Sequence, residues 1–312
     1  MTADLEVLAA LERKILWLAT WMIHHANHLR PGDGMKVGGH QASSASIATI
    51  MTALYLHVLR PEDRVAVKPH ASPVFHAIQY LLGNQTLEKL RAFRGYGGAQ
   101  SYPSRTKDTD DVDFSTGSVG LGVAQTLFSS LVQDYVRAHG WGAGPEGRMV
   151  ALIGDAEMDE GNIFEALMEG WKHGLRRTWW VVDYNRQSLD AVVREGLWAK
   201  FEAMFRNFGW DVVVLRHGRL QEAAFAEPDD ALAALMGNLG GHDLPSLLDA
   251  FAAARTHDRP TCFICYTIKG AGLPLAGHKD NHAGLMNPAQ VETLRAAMQV
   301  RAGHEWDRFE GL

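Results

Sequence analysis

The chain is poor in cysteine, in uninterrupted apolar runs and in positive charge. Its only two cysteines in 312 residues are Cys262 and Cys265. Their C-x-x-C spacing invites a redox or metal reading. The surrounding PTCFICYTIKG reads instead as a buried strand, on which residues three apart point to opposite faces. Buried thiols there act as small hydrophobes. No apolar run approaches the length of a membrane span. The N-terminal MTADLEVLAALERK is acidic early and lacks the basic-then-apolar pattern of a secretory signal. A formal net charge of −6 excludes an electrostatic case for nucleic acid or an anionic membrane as partner. A cytoplasmic location is expected. No G-x-G-x-x-G follows a first strand, which removes the usual signature of a nicotinamide dehydrogenase.

What is present is an ordinary globular composition, with 46% hydrophobic and 21% charged residues, in a chain able to bury a sizeable core. Leu8, Leu11, Ile15, Leu18 and Met22 recur at helical spacing within residues 5–29. A glycine-rich loop, Pro31 to His40, follows. Helices are expected over Ala42–Leu59, Thr86–Phe93, Ser118–His139, Leu244–Ala254 and residues 289–301. A polar, glycine-rich loop is expected from Gly95 to Asp113. Strands are expected over Arg64–Lys68 and near residues 148–153, 178–184, 211–215 and 261–267. Alternation of strands and helices predicts an α/β fold, a parallel sheet flanked by helices. Gly218 to Gly241 reads as an irregular insert, and the whole of 1–312 as one domain with tails at both ends.

The most informative stretch runs from Val150 to Asp190. An apolar run ends at Gly154-Asp155, a helical span follows, and a second apolar run, WWVVDYN, ends at Asn185. Two parallel strands joined by a crossover helix bring Asp155 and Asn185 to one sheet edge. Ligands of open α/β sheets bind there. A carboxylate and a carboxamide are hard oxygen ligands, suited to Mg²⁺ and a phosphorylated cofactor. Small residues at Ser115–Gly122, STGSVGLG, lead into a helix and suit the approach of an anion to its N-terminus. His24, His25 and His28 share one helix and read as packing or surface residues.

GDAEMDE followed by Asn185 resembles the thiamine diphosphate motif, in which GDG precedes an asparagine by some two to three dozen residues. LERKI, KVGGHQAS, PHASP, SYP, FSTGSVGLG, YNRQSLD, GGHDLPSLLDAF and YTIKGAGL occur around it in matching order. From about Leu11 to Asn287 the chain resembles the diphosphate-binding domain of the transketolase superfamily, and within it the homodimeric bacterial pyruvate dehydrogenases. The resemblance implies thiamine diphosphate and Mg²⁺ as cofactors. It implies that the metal is held by the side chains of Asp155 and Asn185 and the backbone carbonyl of Gln187, with diphosphate and water completing about six oxygens. Gly154 would let the backbone approach the diphosphate, and the N–H groups of Ala156 and Glu157 would face phosphate oxygen. Ala156 stands where the family has its third glycine, a departure that is harmless if φ is negative there. Ser43, Tyr102, Ser118, Val119 and Lys269 carry over as cofactor-facing positions. His40 and His70 carry over as catalytic histidines at the reacting end. His282 matches a histidine of a mobile active-site loop that excludes water over bound substrate.

The resemblance also carries expectations about assembly. Homodimeric relatives continue into a domain that binds the aminopyrimidine ring and supplies the activating glutamate, and into a third, C-terminal domain. Only about 25 residues follow Asn287, so those domains are expected on a separate β-type subunit, in a heterotetramer. The implied reaction cleaves the bond next to the carbonyl of a 2-oxo acid, as in a pyruvate dehydrogenase. About ten residues precede the first family helix, where the homodimeric enzymes carry an extension that docks the lipoyl-bearing acyltransferase. That shortness keeps a split transketolase, or another carboligase moving a two-carbon ketol unit between sugars, as the alternative. GGHQAS in place of the transketolase SGHPG weighs against it. A third reading is an assembly subunit that has lost the site. The set Asp155, Asn185, His40, His70 and Lys269 argues against that reading.

Overall fold

The computed structural model describes residues 4–309, apart from 33, 143, 190, 227–234 and 236. Its centre is a five-stranded sheet built from β1 (Arg64–Ala66), β2 (Met149–Gly154), β3 (Thr178–Tyr184), β6 (Asp211–Leu215) and β7 (Thr261–Tyr266), in the order β1-β2-β3-β7-β6. Every pairing in it is parallel. β4 (Gln187–Ser188) and β5 (Ala191–Val192) form a separate antiparallel pair just beyond β3. β2, β3 and β7 read as continuous apolar runs because both faces of the sheet are covered.

Period-two alternation splits the core in two. Val150, Leu152, Trp179, Val181, Phe263 and Cys265 face one side. There they meet α1 (Leu5–His24), α2 (Gln41–Ala53), α3 (Ser72–Leu82), α9 (Leu244–Ala254) and α10 (Pro288–Ala297). Ala151, Ile153, Trp180, Val182, Cys262 and Ile264 face the other. That side packs on α5 (Leu121–Ala138), α6 (Gly161–Lys172) and α7 (Leu197–Asn207). The two free cysteines are buried on opposite faces, as strand geometry requires.

The expected elements are present with adjusted bounds. The first helix is α-helical to His24 and closes in a π turn, His25–Leu29. α2 ends likewise, in Leu54–Val58. β1 stops at Ala66, α4 covers Leu87–Arg91, and α10 ends at Ala297. Two helices, α3 and α7, lie where no element was expected. PHASP follows directly on the strand expected over Arg64–Lys68, and its Pro73 sits in the first turn of α3, where a missing N–H costs nothing. Within the expected insert, α8 (Arg219–Ala226) is helical, and 227–234 and 236 lie outside the described residues.

His24 packs its ring on Trp21 and His28 at centroid distances of 5.3 and 4.8 Å, while His25 meets Trp306 at 5.4 Å. The loop from Gly95 to Asp113 is held by His76. Its Nδ1 lies 2.6 Å from Asp110 Oδ2, and its Nε2 lies 2.7 Å from the carbonyl of Gln100. Asp108 adds to this, accepting the N–H groups of Gln100 and Ser104.

Candidate active site

The carboxyl ends of β2 and β3 place Asp155 and Asn185 side by side, because Gly154 pairs with Asp183 in the sheet register. A cavity of about 320 Å³ opens at this edge. Ser43, His70, Val119, Gly154, Asp155, Ala156, Glu157, Asn185, Gln187, Lys269 and His282 all line it. His40 is not among the lining residues but adjoins two of them. Its ring stacks on His70 at 4.0 Å and lies 5.1 Å from His282. One ring nitrogen from each of the three histidines lies within 4.8 Å of the others.

Two of the expected residues are not brought to the cavity. Tyr102 is 41% exposed, in the loop that His76 and Asp108 tie down, and does not line the cavity. Ser118 is exposed and also stands outside it. The helix expected to begin at Ser118 begins at Leu121, with Gly120 as a left-handed cap at φ 83°. Only Val119 of that pair reaches the cavity.

The backbone around Asp155 is specific. Its Oδ2 accepts the N–H of Arg186 at 2.6 Å, and its Oδ1 accepts that of Ala156 at 2.9 Å. Asn185 Oδ1 accepts the N–H of Gln187 at 3.0 Å. Arg186 and Leu189 hold left-handed backbone conformations, φ 66° and 53°. Non-glycine residues in that region carry strain, which gathers at functional sites. Ala156 is not among the residues of positive φ, so alanine fits where the resemblance expected glycine. The Glu157 carboxylate bridges two glycine N–H groups, Gly120 at 2.7 Å and Gly154 at 3.2 Å, and so ties the end of β2 to the start of α5. The N–H groups of Gly154 and Ala156 thus already have partners within the chain.

The electrostatics follow from burial. Burial, and after it the neighbouring Asp183 carboxylate, push Asp155 up to about 7. Burial pushes Asp183 up most strongly, but the Lys68 ammonium together with the hydrogen bonds from Lys68, Ser46 and Thr267 holds it below the usual carboxylate range. Burial, then His282 and nearby cations, push His40 down to about 4. His70 is driven down to about 2 by burial, His40 and Lys68. Both imidazoles are therefore neutral at neutral pH. Lys269 Nζ lies 3.3 Å from His282 Nδ1.

This donor set fits a divalent cation and a diphosphate. A buried carboxylate disfavoured in its charged form gains most from an added cation. Asp155, Asn185 and Gln187 bring oxygen donors to the cavity, and the buried Oε1 of Gln187 has no hydrogen-bond partner. Two cationic side chains, Lys68 and Lys269, border the same cavity, Lys68 bound to Asp183 and Lys269 to the carbonyl of Leu189. Lys68, Asp159, Glu160, Ser188 and Leu189 also line it and were not singled out from the sequence. Lys68 carried one signal, its place two residues before His70 in KPHASP.

Fold and site together define a thiamine diphosphate binding domain of the transketolase type. That family matches residues 34–232, and the chain belongs to it. The chain is 30% identical to the pyruvate dehydrogenase E1 component of Mycobacterium tuberculosis, over 90% of its own length and 36% of that protein's. It is 29% identical to transketolase-like protein 2 of Mus musculus, over 80% of this chain and 37% of that one. In fold it is similar to the transketolase from Leishmania mexicana, with a TM-score of 0.74 at 19% identity, covering 95% of this chain and 41% of the other. The chain thus spans well under half the length of these relatives.

Proposed function

We propose that this chain is the diphosphate-binding half of a thiamine diphosphate- and Mg²⁺-dependent enzyme acting on a 2-oxo acid, most like the pyruvate dehydrogenase decarboxylating component. The observation that carries the reading is one cavity lined together by Asp155, Asn185, Gln187, Lys68, Lys269, His70 and His282, with His40 stacked on His70 beside it. Asp155, Asn185 and the Gln187 carbonyl would hold Mg²⁺. Ser43, Val119, Gly154, Ala156, Glu157 and Lys269 would surround the diphosphate. Tyr102 and Ser118, outside the cavity, would need a change of loop position to take part. When bound, thiamine diphosphate supplies a nucleophilic ring carbon and an electron sink for cleaving the bond next to a carbonyl. The neutral His40 and His70 would accept or share protons at the substrate oxygen, and His282 would close over it.

The remainder of the site would come from a second domain, in our reading on a separate β-type subunit of a heterotetramer. Leu121, Phe128, Val132 and Tyr135 on α5 and Phe164, Met168 and Trp171 on α6 are exposed, which supports a partner over this face. A two-carbon ketol transfer between sugars is the second reading, supported by the match to transketolase-like protein 2. Assays with pyruvate and an artificial electron acceptor, run beside ketose phosphate and an aldose, separate the two.

Asp155→Ala tests the anchor. It should lower Mg²⁺-dependent thiamine diphosphate affinity by about 100-fold or more while the fold is kept. Calorimetric titration alongside circular dichroism measures both, and unchanged affinity refutes the metal assignment.

A further inference from the structure

We infer that Lys68 and Asp183, with Ser46 and Thr267, form a buried clamp that positions the four chain segments carrying the site. The inference rests on reading the cavity as the diphosphate and Mg²⁺ site. Asp183 lies at the centre. Its Oδ2 accepts Lys68 Nζ at 2.5 Å and Ser46 Oγ at 2.6 Å, and its Oδ1 accepts Thr267 Oγ1 at 2.5 Å. Asp183, Ser46 and Thr267 are fully buried, and Lys68 is only 6% exposed.

The four groups come from four separate places: α2, the segment after β1, the end of β3 and the segment after β7. Each stands two or three positions from a residue of the site. Ser46 follows Ser43, Lys68 precedes His70, Asp183 precedes Asn185, and Thr267 precedes Lys269. A constellation drawn from four segments works only if their relative placement is held to about 0.5 Å. Apolar packing supplies attraction without direction. Directional, charge-assisted bonds in a dry interior supply the direction. A buried ion pair is a poor source of net stability, because desolvation offsets the attraction. The position of this pair, with Asp183 the register partner of Gly154 and Lys68 lining the cavity, accords with placement as its role.

Amide hydrogen exchange on the full chain, without cofactor, tests this. The variants are Asp183→Asn, Thr267→Val, Lys68→Met and the double variant Lys68→Met with Asp183→Asn. Asp183→Asn should speed exchange by about tenfold in segments 40–46, 68–72, 183–189 and 267–271 together, with peptides of α6 unchanged. The double variant should regain thermal midpoint relative to Lys68→Met, because no unpaired charge stays buried. Its exchange in the four segments should stay fast. A purely structural pair would move midpoint and exchange together. Faster exchange confined to the substituted segment, or a double variant with wild-type exchange, overturns the clamp. If Lys68→Met does not fold, Asp183→Asn and Thr267→Val decide by the same pattern. Failure of the wild-type chain, with its partner, to bind thiamine diphosphate and Mg²⁺ would instead overturn the cofactor reading and leave the exchange result standing.

Discussion

His40 and His70 differ from ordinary histidines in the protonation state they hold at neutral pH. Each is depressed from 6.5, His40 to about 4 and His70 to about 2, by burial first and neighbouring positive groups second. A depressed imidazole stays neutral until the pH falls through its folded value. In proton NMR of the folded chain neither ring should titrate between pH 5.5 and 8, whereas an exposed histidine titrates near 6.5. A midpoint near 6.5 for either ring would show that the burial is wrong. In the reconstituted enzyme, His40→Ala or His70→Ala should slow turnover about 100-fold with a smaller effect on cofactor affinity. Steady-state kinetics beside cofactor titration separates the two effects. The sequence named both histidines through their motifs. That they would stack on each other at 4.0 Å was not legible, since they sit thirty positions apart and meet only where the start of α2 packs on the turn after β1, with Ser44 Oγ donating to the carbonyl of His70.

At the scale of elements, the two glycines whose N–H groups bind Glu157 make opposite predictions. Gly120 caps α5 in the left-handed region, and a Cβ there would lie 2.7 Å from Glu160 Cβ. Gly120→Ala should lower stability by about 1–3 kcal/mol in urea unfolding, from strain and crowding together. Gly154 is extended, φ −80°, and a Cβ would approach no atom of the chain closer than 4.0 Å. Gly154→Ala should therefore leave stability within about 0.5 kcal/mol and weaken diphosphate binding instead, measured by titration. Strands β2, β3 and β7 were legible because burial on both faces writes a continuous apolar run. Helix α3 was hidden by the proline in its first turn. The true start of α5 was hidden because a glycine cap and helix residues of similar size look alike in STGSVGLG.

For the whole molecule, two cores on either side of one sheet hold the cavity at a single edge. Trp180, fully buried on the α5–α7 side, donates its indole N–H to Thr126 at 3.1 Å. Trp180→Ala should cost about 3–5 kcal/mol, read from denaturant midpoints. A loss near zero would mean that this face is not the packed core described. The proposed division of the enzyme is tested at the same scale. The chain alone, given thiamine diphosphate, Mg²⁺ and pyruvate, should show no turnover, and mixing with its partner should restore it. Turnover by the chain alone would overturn the two-subunit reading. Among the described residues no helix is long and apolar enough to cross a membrane.

The sequence by itself determined the parallel α/β class, the opposed cysteines and the meeting of Asp155 with Asn185. These follow from local periodicity and from the rule that parallel strands end at one edge. The tertiary structure alone decided that Lys68, Asp183, Ser46 and Thr267 share one buried cluster. It alone decided that Glu157 binds two glycine N–H groups, and that Tyr102 and Ser118 stand outside the cavity. Those outcomes depend on side chains from distant segments competing for the same few hydrogen-bond partners in a dry interior. No local pattern records that competition.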